Sequence, residues 1–270
     1  MKFVDKLVVA SKKNNSLLCV GIDPNPAQMP DVPLLDFTRG IIDATKDLVC
    51  AFKPNFAFFE AMGIPGLEAL IETIKYIPEE IPVIGDAKRA DIGNTSKAYA
   101  TAVFDVFQCD AITVSPYLGY DSVEPFFQYE DKGVFILCRT SNKGASDFQD
   151  ITGKNGETLF EAVAKKAREW NKVGNIGLVV GATYPEELKR IRELCPEMPL
   201  LIPGVGSQGG DLELAIQYGV DSAGRKAIIN VSRQVIYASK GSDFAEAARV
   251  KAREMRDSIN LVLSRIGKLS

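Results

Sequence analysis

Short apolar runs rich in β-branched residues alternate with stretches of helical periodicity from one end of the chain to the other. Eight runs read as strands, over residues 17–23, 50–55, 82–88, 111–116, 133–140, 176–183, 199–205 and 227–233. Between them, residues 91–107 place Ile92, Tyr99, Val103 and Val106 on or near one helical face. A final helix is predicted to start with Ser242 as N-cap and Asp243 in its first turn, with Phe244, Ala248, Met255, Ile259 and Val262 as its apolar stripe. Eight β-then-α units without a break in composition predict an α/β chain closed into a (β/α)8 TIM barrel, a single domain over residues 1–270. An open doubly wound sheet is the structural alternative. One long connection, residues 141–156, follows the fifth run and is rich in Asn, Gly, Lys and Asp. On the face where barrels build their sites it reads either as a lid or as a tolerated surface insertion.

Composition narrows the function. With 270 residues and 46% hydrophobic content the chain can bury one large core. Lys and Arg number 32 against 35 Asp and Glu, a net charge of -3, so there is no electrostatic footprint for nucleic acid. No run of about 18 apolar residues predicts a membrane span, and the charged start MKFVDK does not read as a signal peptide. Five scattered cysteines without a CxxC pair read as reduced thiols in a cytoplasmic core. Histidine is absent, which removes Ser-His-Asp triads, Cys-His dyads and His-ligated zinc. Acid–base chemistry then falls to Lys, Asp, Glu, Tyr or Cys.

Charged and polar residues gather at the ends of several predicted strands: Asp23, Lys53, Asp86, Lys88, Ser141, the segment 203–208 and Arg233. In a barrel this rim is the catalytic face. The sharpest pattern is Asp86-Ala87-Lys88-Arg89-Ala90-Asp91. Two residues apart on a strand, Asp86 and Lys88 point the same way. Two carboxylates about 4 Å apart repel by roughly 4 kcal/mol at an effective dielectric of about 20, and interleaved lysines offset that repulsion. A protonated lysine beside a developing carbanion both stabilises it and donates a proton. By itself the pattern also suits a structural salt-bridge network.

A second pattern, Pro203-Gly204-Val205-Gly206-Ser207-Gln208-Gly209-Gly210-Asp211, matches G-x-G-x-x-G but falls on the seventh strand of eight. A dinucleotide fingerprint opens its βαβ unit instead. Glycines after strand seven and Arg233 after strand eight suit the phosphate site common in barrels, a glycine-rich turn being the plainer reading. Gln208 is placed to reach across a bound ligand.

Together, VGIDP, FKPNFAFFE, VIGDAKRADIGNT, PGVGSQGGD and INVSR, in this order between about residues 17 and 240, resemble the orotidine 5′-monophosphate decarboxylase family. The resemblance implies a barrel enzyme that converts orotidine 5′-monophosphate to UMP, the last step of pyrimidine nucleotide synthesis, with no metal and no cofactor. It implies a homodimer with shared active sites. Lys53, Asp86, Lys88 and Asp91 become the catalytic array, Lys88 as proton donor to ring carbon six and Asp86 beside the departing carboxylate. Asp91 and Thr95 are contributed to the partner subunit's site. Asp23, with Lys53, binds the ribose hydroxyls, and Ser141 contacts the pyrimidine. Pro203, Gly206, Gln208, Ser232 and Arg233 surround the base edge and the phosphate. Two departures stand out: Ser232 where the family often has Gly, and the long polar NKGASD segment after Ser141. The rival enzyme is a magnesium-dependent sugar-phosphate decarboxylase or aldolase of the same barrel group, and the non-enzymatic rival is a phosphate-binding barrel without activity.

Overall fold

A computed structural model describes residues 1–206 and 209–269. All eight predicted runs are strands: β1 (Leu18–Ile22), β2 (Ala51–Pro54), β3 (Ile84–Arg89), β4 (Ala111–Val114), β5 (Gly133–Arg139), β6 (Ile176–Val180), β7 (Leu200–Ile202) and β8 (Ala227–Val231). They pair in parallel in the order β2-β1-β8-β7-β6-β5-β4-β3. The ends meet through parallel bridges Phe52↔Val83 and Asn55↔Asp86 and through the Phe52 N–H donating to the Pro82 carbonyl at 3.0 Å. The sheet is therefore a barrel and not the open doubly wound alternative. Between strands lie helices, so the strands are covered on both faces and most read as nearly continuous apolar runs; β3, IGDAKR, is buried only over its first two residues.

Two cores follow from the alternation of side chains. One lies between strands and helices, where Ile22, Phe52, Ile112, Ile136, Leu178, Ile202 and Ile229 meet the helix faces. The other fills the barrel: Cys19, Ala51, Ile84, Ala111, Phe135, Val179, Leu201 and Ile228 stack on Phe3 and Leu7 of the helix Phe3–Asn14. That helix plugs the N-terminal mouth, with the Phe3 ring edge-on to Phe135 at 5.6 Å. One mouth is thus closed by apolar packing and the other left to the polar rim. All five cysteines are buried and unpaired. Among the described residues no helix is long and apolar enough to cross a membrane.

Two helix expectations are corrected. The final helix spans Phe244–Arg265, two residues after the expected cap, and Ser242 does not cap it. Asp243 stands at its start without capping; its carboxylate accepts from the Ser239 hydroxyl at 2.6 Å instead. The segment 91–107 forms the helix Gly93–Thr101 followed by a π-helical turn Ala102–Val106. Ile92 precedes the helix and is 59% exposed, and the wider turn rotates Val106 outward, 58% exposed. Tyr99 and Val103 do face the core, joined by Ser96, Ala100 and Phe104.

The long connection after β5 carries its own ties. It starts with a short 3₁₀ turn, Lys143–Asp147. The Gln149 side chain accepts the Thr140 N–H and donates to the Thr140 hydroxyl, both at 2.9 Å. The buried Arg139 guanidinium meets Asp150 at 3.1 Å and stacks over the Tyr184 ring at 3.9 Å.

Candidate active site

A cavity of about 460 Å³ opens at the C-terminal ends of the strands. Asp23, Lys53, Asp86, Lys88, Ser141, Pro203, Ser232 and Arg233 line it, so eight of the predicted site residues converge there. Asp91 and Thr95 do not line it. Asp91 is half-buried and accepts the Ile92 N–H at 2.7 Å, and Thr95 is exposed on the first turn of the following helix. Gly206 lies just outside the lining. Gln208 falls outside the described residues.

The centre is a buried carboxylate clamped between two ammonium groups. Asp86 Oδ2 accepts from Lys53 Nζ at 2.5 Å, and Asp86 Oδ1 accepts from Lys88 Nζ at 2.5 Å. Lys53 is only 4% exposed. Such a charge is tolerated in the interior only when paired. Burial alone would push the Asp86 carboxyl upward, but the charges of Lys53 and Lys88 and their hydrogen bonds outweigh it and hold the group well below the usual carboxylate range. Burial likewise opposes the Lys53 charge, and the Asp86 and Asp23 carboxylates overcome it and raise the ammonium above its ordinary value. The adjacent Cys19 thiol is pushed up to about 12, chiefly by burial, and is no nucleophile.

Around this centre the loops add a glycine turn and a guanidinium. After β7 the backbone turns through Gly204, Gly206 and Gly209, all at positive φ. The Gly210 N–H donates to the Gly204 carbonyl at 3.1 Å, folding the turn back on itself. A Cβ at Gly206 would lie 2.6 Å from the Gln234 side chain, so the turn packs against the segment that follows β8. Arg233 belongs to that segment and lines the cavity beside Pro203, Gly204 and Val205, so a guanidinium and the glycine turn face the same space. Ser232, the departure from the family pattern, is accommodated by Gly21: a Cβ at position 21 would come within 1.9 Å of the Ser232 Oγ. The hydroxyl takes the space that Gly21 leaves empty on β1.

Residues not singled out from the sequence complete the lining: Asn55, Thr113, Thr140, Asn142 and Asn230, with Leu137, Val179, Leu201 and Val231. Two of them carried a signal. Asn55 lies two after Lys53 and Asn230 two before Ser232, so strand alternation puts each on the inward face. Asp23 Oδ1 and Asn230 Oδ1 are buried without a hydrogen-bond partner among the described residues. Tyr237 holds the end of β1 in place, its hydroxyl donating to the Asp23 carbonyl at 2.5 Å and accepting the Asn25 N–H at 2.6 Å.

Comparison with known proteins agrees with this geometry. The profile of the Orotidine 5'-phosphate decarboxylase / HUMPS family matches residues 16–249. An orotidine 5'-phosphate decarboxylase of Dehalococcoides mccartyi is 56% identical over 264 residues, 96% of this chain and 98% of that protein. The structure of Leishmania donovani OMP decarboxylase superposes with a TM-score of 0.86 at 41% identity, over 97% of this chain and 99% of that one. Leishmania donovani UMP synthase superposes with a TM-score of 0.88 at 42% identity, over 97% of this chain but only 56% of that longer one. A profile that spans most of the barrel, joined to full-length identity above one half, leaves one assignment: the chain belongs to the orotidine 5'-phosphate decarboxylase / HUMPS family.

Proposed function

We propose that this chain decarboxylates orotidine 5′-monophosphate to UMP at the cavity around Asp86, and that residues 1–270 act as one barrel domain. The observation that carries the reading is Asp86 clamped at 2.5 Å by both Lys53 and Lys88 in a cavity that also holds Arg233. A phosphate dianion binds between Arg233, Ser232 and the backbone of the 203–206 turn, and the family resemblance gives Gln208 the role of bridging base and phosphate. Asp23 and Lys53 hold the ribose hydroxyls, and Ser141 contacts the pyrimidine. The bond between ring carbon six and the carboxylate then breaks, and carbon dioxide leaves. The electron pair stays on carbon six beside the Lys88 ammonium, which stabilises it and then donates its proton there. Holding the ammonium before the carbanion exists is what the clamp achieves: no reorganisation is needed when charge develops. Enzymes lower barriers by as much as about 23 kcal/mol, and a carbanion that its ring cannot delocalise lies near that demanding end.

The protein acts in the cytoplasm as a homodimer. Asp91 and Thr95 serve the partner subunit's site, which accounts for their position outside this chain's own cavity. Supporting this, Ile92, Tyr117 and Leu118 are 59%, 79% and 51% exposed on the neighbouring loops after β3 and β4. The chemistry uses no metal or cofactor. A divalent cation at Asp86 would have to displace two ammonium groups that already occupy its oxygens.

The test is turnover of orotidine 5′-monophosphate by the purified protein, followed by UMP formation, with and without excess EDTA. Full activity in EDTA is expected. Activity lost in EDTA and restored by magnesium would favour the metal-dependent rival, and UMP binding without turnover would favour the inactive phosphate-binding barrel.

A further inference from the structure

One buried hydroxyl links Asp86 and Lys88 of β3 to β4. Thr113 is 1% exposed and sits at the edge of the cavity. Its Oγ1 accepts the Lys88 backbone N–H at 3.0 Å and donates to Asp86 Oδ1 at 3.1 Å. That same Asp86 oxygen accepts from Lys88 Nζ at 2.5 Å. The contacts close a ring that runs from the Lys88 main chain through Thr113 and Asp86 back to the Lys88 ammonium.

The ring stands where the sheet is out of register. β3 and β4 pair at Ile84↔Ala111 and Gly85↔Ile112, then resume at Arg89↔Val114. Residues 86–88 of β3 therefore lie opposite Thr113 alone, a bulge that re-aims the side chains it carries. Lys88 has a φ of 47°, in the left-handed region. A non-glycine residue holds that conformation only when its surroundings impose it. Of the described non-glycine residues with positive φ (Asn15, Lys88, Gln108 and Lys226), Lys88 alone lines the cavity.

We propose that Thr113 is a positioning residue for the decarboxylation: its hydroxyl fixes the Lys88 main chain in its left-handed turn and orients Asp86, so that the Lys88 ammonium is aimed at the carbon receiving the proton. The inference rests on the decarboxylase reading above. A hydroxyl suits the role because it accepts and donates at once. Valine has nearly the same shape and can do neither; serine retains both.

The experiment compares wild type, Thr113→Val and Thr113→Ser in kcat and KM for orotidine 5′-monophosphate and in melting temperature. In the valine variant kcat is expected to fall roughly ten- to hundredfold, the worth of a hydrogen bond to a charged group, with KM within about threefold of wild type. Melting should stay within a few degrees, and the serine variant should recover most of kcat. Should the valine variant fail to fold, Thr113→Ala carries the same expectation without crowding. A valine kcat within twofold of wild type, a loss confined to KM, or a serine variant as impaired as valine would overturn the inference. A folded wild type inert on orotidine 5′-monophosphate would instead overturn the decarboxylase reading, and this inference with it.

Discussion

Replacing Asp86 by asparagine removes one negative charge from between two positive ones and leaves the shape unchanged. Lys53 and Asp86 have side chains 5% and 10% exposed, so water cannot take over the solvation of the orphaned ammonium. Breaking a buried ion pair from one side costs about 3–5 kcal/mol. For a chain of this size each kcal/mol is worth about 2–4 °C, so Asp86→Asn should melt roughly 6–20 °C below wild type. The lower end is expected, because the amide oxygen still accepts one hydrogen bond and Asp23 still attracts Lys53. The pH dependence carries a definite sign. The folded Asp86 pKa lies below its unfolded value, so its contribution is complete above the unfolded value of about 4 and fades as pH falls toward the lower folded value. Calorimetry at a series of pH values should therefore show a constant gap between wild type and variant from about pH 8 to 5, narrowing below about pH 4. A variant melting within about 2 °C of wild type, or a gap that widens in acid, would refute the claim that Asp86 is what keeps the buried Lys53 charge in the fold.

Lys88→Ala tests the proton donor. Its side chain is 53% exposed and alanine meets the same backbone strain, so melting should barely change. Turnover should fall by at least about 10⁴-fold, combining lost proton transfer with lost electrostatic stabilisation, and near-normal turnover by steady-state assay would contradict the assigned role. Arg233→Ala should raise KM by roughly ten- to hundredfold with a smaller effect on kcat, since a charge-assisted phosphate contact is lost; kcat lost at unchanged KM would place Arg233 elsewhere in the reaction.

The barrel was legible because its strands are buried on both faces and sit between helices at regular spacing. The predicted runs overshoot the paired strands by up to a few residues, and the overshoot is informative. Asp23, Thr140 and Arg233 continue the chain past the last paired residues of β1, β5 and β8 and line the cavity. Strand alternation found Asp86 and Lys88 together, but not for the reason that alternation gives. A bulge intervenes, and Lys88 returns to Asp86 through a left-handed backbone that no periodicity encodes. Thr113 escaped notice because one threonine in the apolar run of β4 looks like an ordinary strand former. The π-helical turn at Ala102–Val106 was equally hidden, since one extra residue in a turn leaves no compositional trace. The fit of Ser232 into the space over Gly21 joins β8 to β1 across the chain's full length, and only the closed barrel makes them neighbours.

The distribution of polarity around the floor of the cavity gives the clamp its strength. In the order of the closed sheet, β8, β1, β2, β3 and β4 are consecutive and contribute Asn230, Asp23, Lys53, Asp86 and Thr113. The remaining arc, β5, β6 and β7, contributes Leu137, Val179 and Leu201, which continue the barrel core upward. Charge is confined to one side and low dielectric to the other. A ring of polar groups all round would admit water and weaken each interaction toward its bulk value, whereas an apolar arc opposite the clamp keeps the Lys–Asp–Lys field strong across the gap. For the proposed reaction the asymmetry has a direction. The group that departs changes from a carboxylate to a neutral, apolar molecule, which hydrocarbon accepts more readily than its charged precursor. The charge that remains moves onto ring carbon, within reach of the ammonium of Lys88. One barrel floor, half charged and half hydrocarbon, thus opposes the starting charge distribution and matches the one that forms.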